Sequence, residues 1–235
     1  MILKLSFLLL LSAGIQAQVH LKANDPLIRY DLIRTAHYYN RGASFDSTGH
    51  ISFEFLAEHV VKADSIRKEF LFVRYSPFGV GRFVIDSCWN NANGPVRYVL
   101  ASYPSPRAET DVFYRNEVKT HVIRAGFVPD TTVKMAEGYL DDTSIWELFG
   151  FMDLQKGVQY DMNVFGSDKR VPLLYHIEYA MDDYSRSADG SWVRSRVVTV
   201  RYGEEDWNLW IDPQTRHTMR AVMRTRGSTL VITMI

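Results

Sequence analysis

Hydrophobic and polar residues alternate along much of the chain after residue 50, as they do in strands that bury one face. Ile51, Phe53 and Phe55 would point to one side of such a strand, and Ser52 and Glu54 to the other. Similar runs, rich in aromatic and β-branched residues, follow at short intervals. They predict strands at Glu69 to Tyr75, Arg82 to Cys88, Val96 to Ala101, Val118 to Ile123, Val158 to Phe165, Leu173 to Tyr179, Val193 to Tyr202, Trp207 to Ile211, Thr218 to Arg224 and Thr229 to Ile235.

Turn-forming residues separate these runs. Asn93-Gly94 before Pro95 is a strong hairpin signal, and Pro77-Phe78-Gly79 divides two earlier strands. Later turns are predicted at Gly166-Ser167-Asp168, Asp189-Gly190, Gly203, Asp212-Pro213 and Arg226-Gly227. Short strands at this spacing indicate an antiparallel barrel or sandwich. Because no internal repeat or linker interrupts the pattern, we expect residues 18–235 to form a single β-rich domain.

Helical spacing replaces the alternation near the N-terminus. Asp25 would cap a helix with Pro26 at its first position and Gly42 at its end. The apolar residues at near-helical spacing are Ile28, Leu32, Ala36 and Tyr39. This pattern predicts a helix that docks on an edge or a face of the sheet.

A second, shorter helix is predicted to end near Gly157. Its alternative N-terminal caps are Asp141, Asp142 and Thr143. Glu147 can close a capping box with Ser144 or lie in the first turn. Trp146 and Phe149 are three positions apart, so they would project from one helix face. We expect this pair to pack on the concave side of the sheet and to border any cavity there.

The first seventeen residues have the pattern of a secretory signal peptide. Lys4 provides a positive start, Leu5 to Leu11 is apolar except for Ser6, and Ala17 is a small residue before a cut at Gln18. The apolar run is far shorter than the ~20 residues of a membrane-spanning helix. We therefore expect residues 1–17 to be removed and the mature protein to be periplasmic or secreted, with no transmembrane segment after the signal.

Composition narrows the function classes. The chain has 27 Lys and Arg against 27 Asp and Glu, so there is no basic excess of the kind that binds nucleic acid. It has one cysteine, which rules out a disulfide within the chain. A chain of this size can bury enough apolar surface to fold without a disulfide or a metal ion.

Candidate metal-binding and nucleophilic residues are few. His176-x-Glu178 would place two ligands on one strand face, whereas zinc sites need three or four. Glu58-His59 is an adjacent pair, and neither an HExxH motif nor paired cysteines occur. Cys88 would need a lowered pKa and access to act as a nucleophile, so a partly buried free thiol is favoured. We expect no metal and no cofactor.

Motifs for hydrolysis and phosphate binding do not appear. There is no G-x-S-x-G elbow, P-loop or G-x-G-x-x-G sequence. Asp141-Asp142 could be paired carboxylates for acid–base chemistry, but two acids at a helix start are better explained by capping. Asp212 before Pro213 is interpreted as a turn residue whose carboxylate accepts backbone N–H groups. We therefore predict no catalytic residue.

A family resemblance rests on three features between Gly138 and Arg224. Gly138-Tyr139-Leu140-Asp141-Asp142-Thr143-Ser144 opens the short helix, and Gln159-Tyr160-Asp161-Met162-Asn163-Val164 follows it as a strand. Trp210-Ile211-Asp212-Pro213-Gln214-Thr215-Arg216 then turns into Met219-Arg220-Ala221-Val222. Together they resemble uncharacterised periplasmic proteins of the lipoprotein-carrier (LolA-like) superfamily. The resemblance implies an open antiparallel β-barrel with two or three short helices, and its best-known relatives carry acyl chains.

Aromatic stripes supply the candidate binding residues. A concave sheet could present them to an apolar ligand, although dense packing in a filled core is the alternative. The candidates are Phe53, Phe55, Phe70, Phe72, Phe83, Trp146, Phe149, Trp207 and Leu209. The leading hypothesis is an exported, non-catalytic protein that binds or carries an apolar ligand, a lipid or an envelope-protein segment. The alternatives are an extracytoplasmic hydrolase with an unrecognised site and a structural or assembly partner in the cell envelope.

Overall fold

The computed structural model describes residues 18–64, 66–77, 83–103, 107–123, 130–167, 169–187 and 189–235. The predicted signal peptide at residues 1–17 and the turn residues Phe78, Gly79 and Asp168 lie outside the described residues. Most of the described chain is strand, and the strands join in one sheet. In this part of the protein, no helix is long and apolar enough to cross a membrane.

Sixteen strands make up the sheet in the described residues. They are β1 (Val19–Leu21), β2 (Ala36–Asp46), β3 (Ile51–Asp64), β4 (Glu69–Pro77), β5 (Phe83–Asn91), β6 (Gly94–Tyr103), β7 (Arg107–Phe113), β8 (Glu117–Ile123), β9 (Thr131–Lys134), β10 (Leu140–Asp141), β11 (Gln159–Gly166), β12 (Val171–Arg186), β13 (Trp192–Tyr202), β14 (Glu205–Ile211), β15 (Thr218–Arg224) and β16 (Ser228–Met234). The order across the sheet is β1-β11-β12-β13-β14-β15-β16-β2-β3-β4-β5-β6-β7-β8-β9, with β10 also paired to β11. Pairing is antiparallel except for β1 and β10, which run parallel to β11.

The sheet curls until its two ends approach each other. β10 lies near β6, and β9 lies near β12. Phe113 of β7 meets Phe165 of β11 edge to face, with ring centroids 5.9 Å apart. Arg170 donates two hydrogen bonds to Glu109 across the same junction, at 2.9 and 3.3 Å. These contacts make the fold barrel-like, as the short alternating strands predicted.

The helix predicted from Asp25 to Gly42 is wrong. Only Tyr30–Leu32 is helical, as a single 3-10 turn, and residues from Ala36 onward belong to β2. β2 pairs with β16 on one side and β3 on the other, so its backbone groups are satisfied by two neighbours. An isolated helix of this length is marginal, and those long-range hydrogen bonds outweigh its local spacing signal.

The second predicted helix is present but shorter than expected. α1 spans Ile145–Leu148 and continues as a 3-10 turn at Phe149–Phe151. The capping box is wrong: the Ser144 hydroxyl donates to Asp141, and the Glu147 side chain turns into the interior. Asp141 instead organises the helix start, because its Oδ1 accepts the backbone N–H groups of Thr143 at 3.0 Å and Ser144 at 2.9 Å.

The predicted hairpin at Asn93-Gly94 and the predicted turn at Asp212 are confirmed. β5 and β6 join at Asn91 and Gly94, and Gly94 has a φ of +119° that other residues rarely adopt. Asp212 shapes the turn between β14 and β15. Its Oδ1 accepts the Gln214 N–H at 2.8 Å, and its Oδ2 accepts the Thr215 hydroxyl at 2.9 Å.

Candidate functional site

The inner face of strands β2 to β6 is arranged in layers that run across the strands. The first layer is apolar and buried beside α1. It consists of Ala36, Val61, Phe72, Cys88 and Tyr98, which are paired in sequence across the five strands. Val61, Phe72 and Cys88 belong to the packed core, whereas Tyr98, although buried, also lines the cavity described below.

The second layer is polar, although it lies inside the protein. Strand register places Tyr38, His59, Arg74 and Asp86 side by side on β2 to β5. Glu147 of α1 projects toward them and accepts hydrogen bonds from Tyr38 and from His59 Nδ1, the latter at 2.9 Å. Asp86 is buried in this layer, whereas 41% of the Arg74 side chain is accessible. A polar group removed from water requires such pairing, because an unpaired group would lose its hydration without compensation.

Burial, hydrogen bonds and neighbouring charges shift the pKa values of the side chains in this layer. Burial raises the pKa of the Tyr38 hydroxyl, and the neighbouring Glu147 charge raises it further. Burial by itself would raise the pKa of Glu147, but the hydrogen bonds from His59 and Tyr38 and the charge interactions with His59 and His217 together outweigh burial and lower it. Arg74 donates from Nε at 3.0 Å and from Nη2 at 2.8 Å to one oxygen of Asp86, and this charge pair raises the Arg74 pKa.

The third layer consists of small or slender side chains and leaves space above the polar layer. Its members are Asn40, Ala57, Ser76, Val84 and Ser102. Beyond them, Gly42 lies opposite Phe55 and Ser44 lies opposite Phe53. The Phe55 ring covers Gly42 so closely that a Cβ there would lie 2.1 Å from Phe55 Cε1. Small residues on this side of the barrel are the physical origin of the cavity.

The cavity has a volume of about 860 Å³ and lies between this wall, α1 and strands β12 to β16. Its opposite wall is largely apolar and aromatic. Thr218 is its polar member on β15, and the others are Tyr175, Tyr202, Trp207, Leu209, Ala221, Met223, Leu230 and Ile232. Ligand pockets for small molecules commonly measure about 300–1,000 Å³ and combine apolar walls with a few polar groups.

Five of the nine candidate residues line this cavity: Phe53, Phe55, Trp146, Trp207 and Leu209. Trp146 packs on Trp207 with ring centroids 4.5 Å apart, and on Phe149 at 5.5 Å. Phe70, Phe72 and Phe149 are instead buried in the core beside α1. The side chain of Phe83 lies outside the described residues, although its backbone begins β5.

The other sequence candidates, His176, Cys88 and Asp141, are not among the residues that line this cavity. His176 is half exposed and pairs with Asp161 at 2.7 Å, and no cluster of potential metal ligands occurs among the described residues. Cys88 is fully buried, which raises its thiol pKa rather than lowering it. Asp141 is buried at the start of α1, and burial raises its pKa despite the hydrogen bonds it accepts.

Sequence reasoning missed the polar layer. His59 was considered only with its neighbour Glu58, yet in the strand Glu58 points outward to His37 while His59 points inward. A signal was available, because Arg74 follows the apolar inward residues Phe70 and Phe72 on β4, and Asp86 lies between Val84 and Cys88 on the inner face of β5. The partner Glu147 is 88 residues from His59 in the sequence, so its place beside that ring follows from the tertiary fold.

Comparisons with known proteins agree with this architecture. A family model described as "Protein of unknown function (DUF3108)" matches residues 60–234. A comparison with curated proteins found no match. Among solved structures, the chain is similar to a β-barrel-like protein of the domain of unknown function DUF1849 from Brucella abortus. The two share 11% sequence identity with a TM-score of 0.57, over 86% of this chain and 95% of the other. The resemblance to lipoprotein carriers stays a prediction.

Proposed function

The chain belongs to the DUF3108 family of proteins of unknown function, and we propose that it is an exported, non-catalytic protein that binds or carries an apolar ligand. The observation that supports this proposal is the cavity of about 860 Å³, with its apolar wall on β12 to β16. A protein of this size could have filled that space with larger side chains, as small barrels do. Instead, small residues border it on one side.

The lining of the cavity favours a lipid or another largely apolar molecule over a strongly polar one. Phe53 and Phe55 of β3 continue the apolar lining across β16, because Leu230 pairs with Ser44 and Ile232 with Gly42. This gives a continuous apolar surface around the end of the cavity away from the polar layer. The LolA-like resemblance, with its acyl-chain carriers, is consistent with such a ligand. Export rests on the pattern at residues 1–17 and stays part of the proposal.

Native mass spectrometry of the protein purified from its own host tests the proposal directly. We expect a co-purifying apolar molecule and, after its removal with organic solvent, binding of the neutral fluorescent probe N-phenyl-1-naphthylamine. The double variant Ala57→Phe/Ala221→Phe adds two rings at buried cavity-lining positions and should weaken probe binding.

Ala101→Phe is the matched control, since Ala101 is exposed on β6 between the cavity-lining Leu100 and Ser102 and therefore faces outward. It adds the same ring without entering the cavity. A protein that carries no apolar molecule and binds the probe no more than the cavity-filled variant does would refute the proposal.

A further inference from the structure

The polar layer of the cavity contains a guanidinium with hydrogen-bond donors left over. Arg74 donates from Nε and from Nη2 to Asp86 Oδ2, so the side edge of its guanidinium is occupied. The end edge consists of N–H groups on Nη1 and Nη2, and no acceptor among the described residues takes them. Arg74 lines the cavity and its side chain is partly accessible, whereas its partner Asp86 is buried. The end edge is therefore available to a molecule that occupies the cavity.

A second donor lies close to this guanidinium. Tyr98 of β6 lines the cavity, and its hydroxyl has no hydrogen-bond partner in the part of the chain that the structure describes. Burial raises the pKa of this hydroxyl, the Asp86 charge raises it further, and the Arg74 charge opposes both. The hydroxyl therefore keeps its proton and can donate it in a hydrogen bond beside Arg74.

The carboxylates that line the cavity already have donors of their own. Arg74 supplies those of Asp86, and Glu147 is held in the polar layer by two hydrogen bonds. Asp142 accepts the backbone N–H of Ser167 at 3.0 Å and the hydroxyl of the same residue at 2.7 Å. A ligand that accepts hydrogen bonds consequently complements this end of the cavity better than a ligand that donates them.

One guanidinium can serve two anions at once, and the protein contains an example. Arg29 binds Asp31 through Nε and Nη2, at 2.9 and 2.8 Å, and binds Asp153 through Nη1 at 3.1 Å. In Arg74 the edge that corresponds to the Asp31 contact holds Asp86. The pairing with Asp86 therefore leaves Arg74 able to bind a second anion.

We propose that the cavity takes an amphiphile with an anionic head group, a carboxylate or a phosphate, whose oxygens accept hydrogen bonds from the end edge of Arg74 and from the Tyr98 hydroxyl. Its apolar chain lies along the wall formed by Phe55, Trp207 and Ile232. A planar guanidinium edge matches the paired oxygens of such an anion, and these charge-assisted bonds are about twice as strong as neutral ones. This inference rests on the proposed function, because it assumes that the cavity binds an apolar chain.

A head-group series at constant chain length tests the proposal. Dodecanoate, dodecanol and dodecylammonium, each below its micelle-forming concentration, compete with N-phenyl-1-naphthylamine for the delipidated protein at about pH 8, where the carboxylate is ionised. We expect dodecanoate to bind about tenfold more tightly than dodecanol, because its contact with Arg74 is charge-assisted, and dodecylammonium to bind most weakly.

A lysophosphatidylglycerol with the same acyl chain separates two sources of the anion. Tighter binding than that of dodecanoate assigns a phospholipid head group, and weaker binding assigns a free fatty acid.

The variant Asp86→Asn removes the charge that competes for Arg74 and keeps the guanidinium. The preference for dodecanoate over dodecanol should therefore rise by about threefold or more, while dodecanol affinity stays within about twofold. Partial unfolding would weaken the binding of both amphiphiles, so it cannot imitate this gain. An unchanged or smaller preference in folded Asp86→Asn would contradict the proposal.

The double variant Arg74→Gln/Asp86→Asn removes both charges together, so that no buried carboxylate loses its partner. It should abolish the preference for dodecanoate. Its matched control is Arg41→Gln/Glu54→Gln, which removes an Arg–carboxylate pair at 2.9 Å between β2 and β3 that is outside the cavity lining. The control should keep the preference. If the Asp86 variants do not fold, the series on the unaltered protein still decides the question.

Equal affinities for dodecanoate and dodecanol, tighter binding of dodecylammonium than of dodecanoate, or a preference that survives in the double variant would overturn the head-group inference and leave the carrier proposal standing. Failure of all four amphiphiles to displace the probe would instead contradict the proposed function itself.

Discussion

The close contact between Gly42 and Phe55 gives a prediction that links the cavity to two residues. In Gly42→Ala, the new Cβ would lie 2.1, 2.2 and 2.9 Å from three carbons of the Phe55 ring. Ordinary contact begins at 3.4 Å, so the ring must move by about 1.3 Å or more. Backbone strands flank Gly42 on both sides, and the free space is on the cavity side of the ring. The ring should therefore move into the cavity.

The expected magnitude follows from two opposing effects. Overpacking costs about 1–3 kcal/mol, and the lower end applies because the ring has a cavity to move into. Replacing a strand glycine by alanine returns about 0.5–1 kcal/mol of conformational entropy. We expect a net loss of about 0–2.5 kcal/mol in the free energy of unfolding, toward the lower end of that range, together with a several-fold loss of N-phenyl-1-naphthylamine affinity.

Urea denaturation and probe titration measure the two quantities in the same samples. Gly227→Ala is the matched control, because a Cβ at Gly227 would have no neighbour within 4 Å. In a Phe55→Ala background the clash is absent, so Gly42→Ala should become neutral or stabilising. An equal loss of stability in both backgrounds, or an unchanged probe affinity in Gly42→Ala, would refute the reasoning.

Three further perturbations test other parts of the structure. Asp111 is fully buried with both carboxylate oxygens unpartnered, and burial raises its pKa from 3.8 to about 6. The folded state therefore binds this proton more tightly than the unfolded state, and the protein loses about 3 kcal/mol of stability as pH rises from about 4 through 6. Asp111→Asn should flatten the dependence of stability on pH in that range, which urea titrations at several pH values measure. Because Trp146 borders the cavity, Trp146→Ala should destabilise the protein by less than the ~3–5 kcal/mol typical of a filled core, and it should change probe binding more than a filled-core substitution would. An unchanged melting temperature in this variant, with Trp146 fluorescence of the unaltered protein freely quenched by iodide, would contradict this prediction. Gly150→Ala would place a Cβ 1.7 Å from the backbone oxygen of Arg216, and backbone cannot move aside as a flexible side chain can. We expect chemical denaturation to show a loss of at least about 3 kcal/mol in the free energy of unfolding. A loss below about 1 kcal/mol would contradict the close contact.

Local sequence signals predicted most of the strands, because alternation of apolar and polar residues follows directly from a strand with one buried face. The predicted runs at Glu69 to Tyr75 and Trp207 to Ile211 lie within β4 and β14. The turn at Asn93-Gly94 and the Asp212 turn were predicted for the same reason, since their chemistry acts within a few residues. Strands that are shorter or that alternate only weakly were not predicted, among them β7 and β9.

Residues with both helical spacing and strand alternation could not be assigned from sequence. Ile28, Leu32, Ala36 and Tyr39 recur at near-helical spacing, yet Ala36 and Tyr39 lie in β2. Ile28 reaches the core as an isolated bridge to Met152. The deciding interactions are hydrogen bonds to β3 and to β16, and the latter is almost two hundred residues away in the sequence.

The sequence by itself determined a mainly β protein with a short helix near Trp146, because strand alternation and turn chemistry depend on near neighbours. It also identified five of the residues that line the cavity, through the aromatic stripes. The tertiary structure decided which aromatic residues face open space and which are core. It also brought Glu147 to His59 and paired Arg74 with Asp86 beneath the cavity. These contacts depend on how each strand is aligned with its neighbours and on how the whole sheet curves. A pattern of nearby residues does not contain that information.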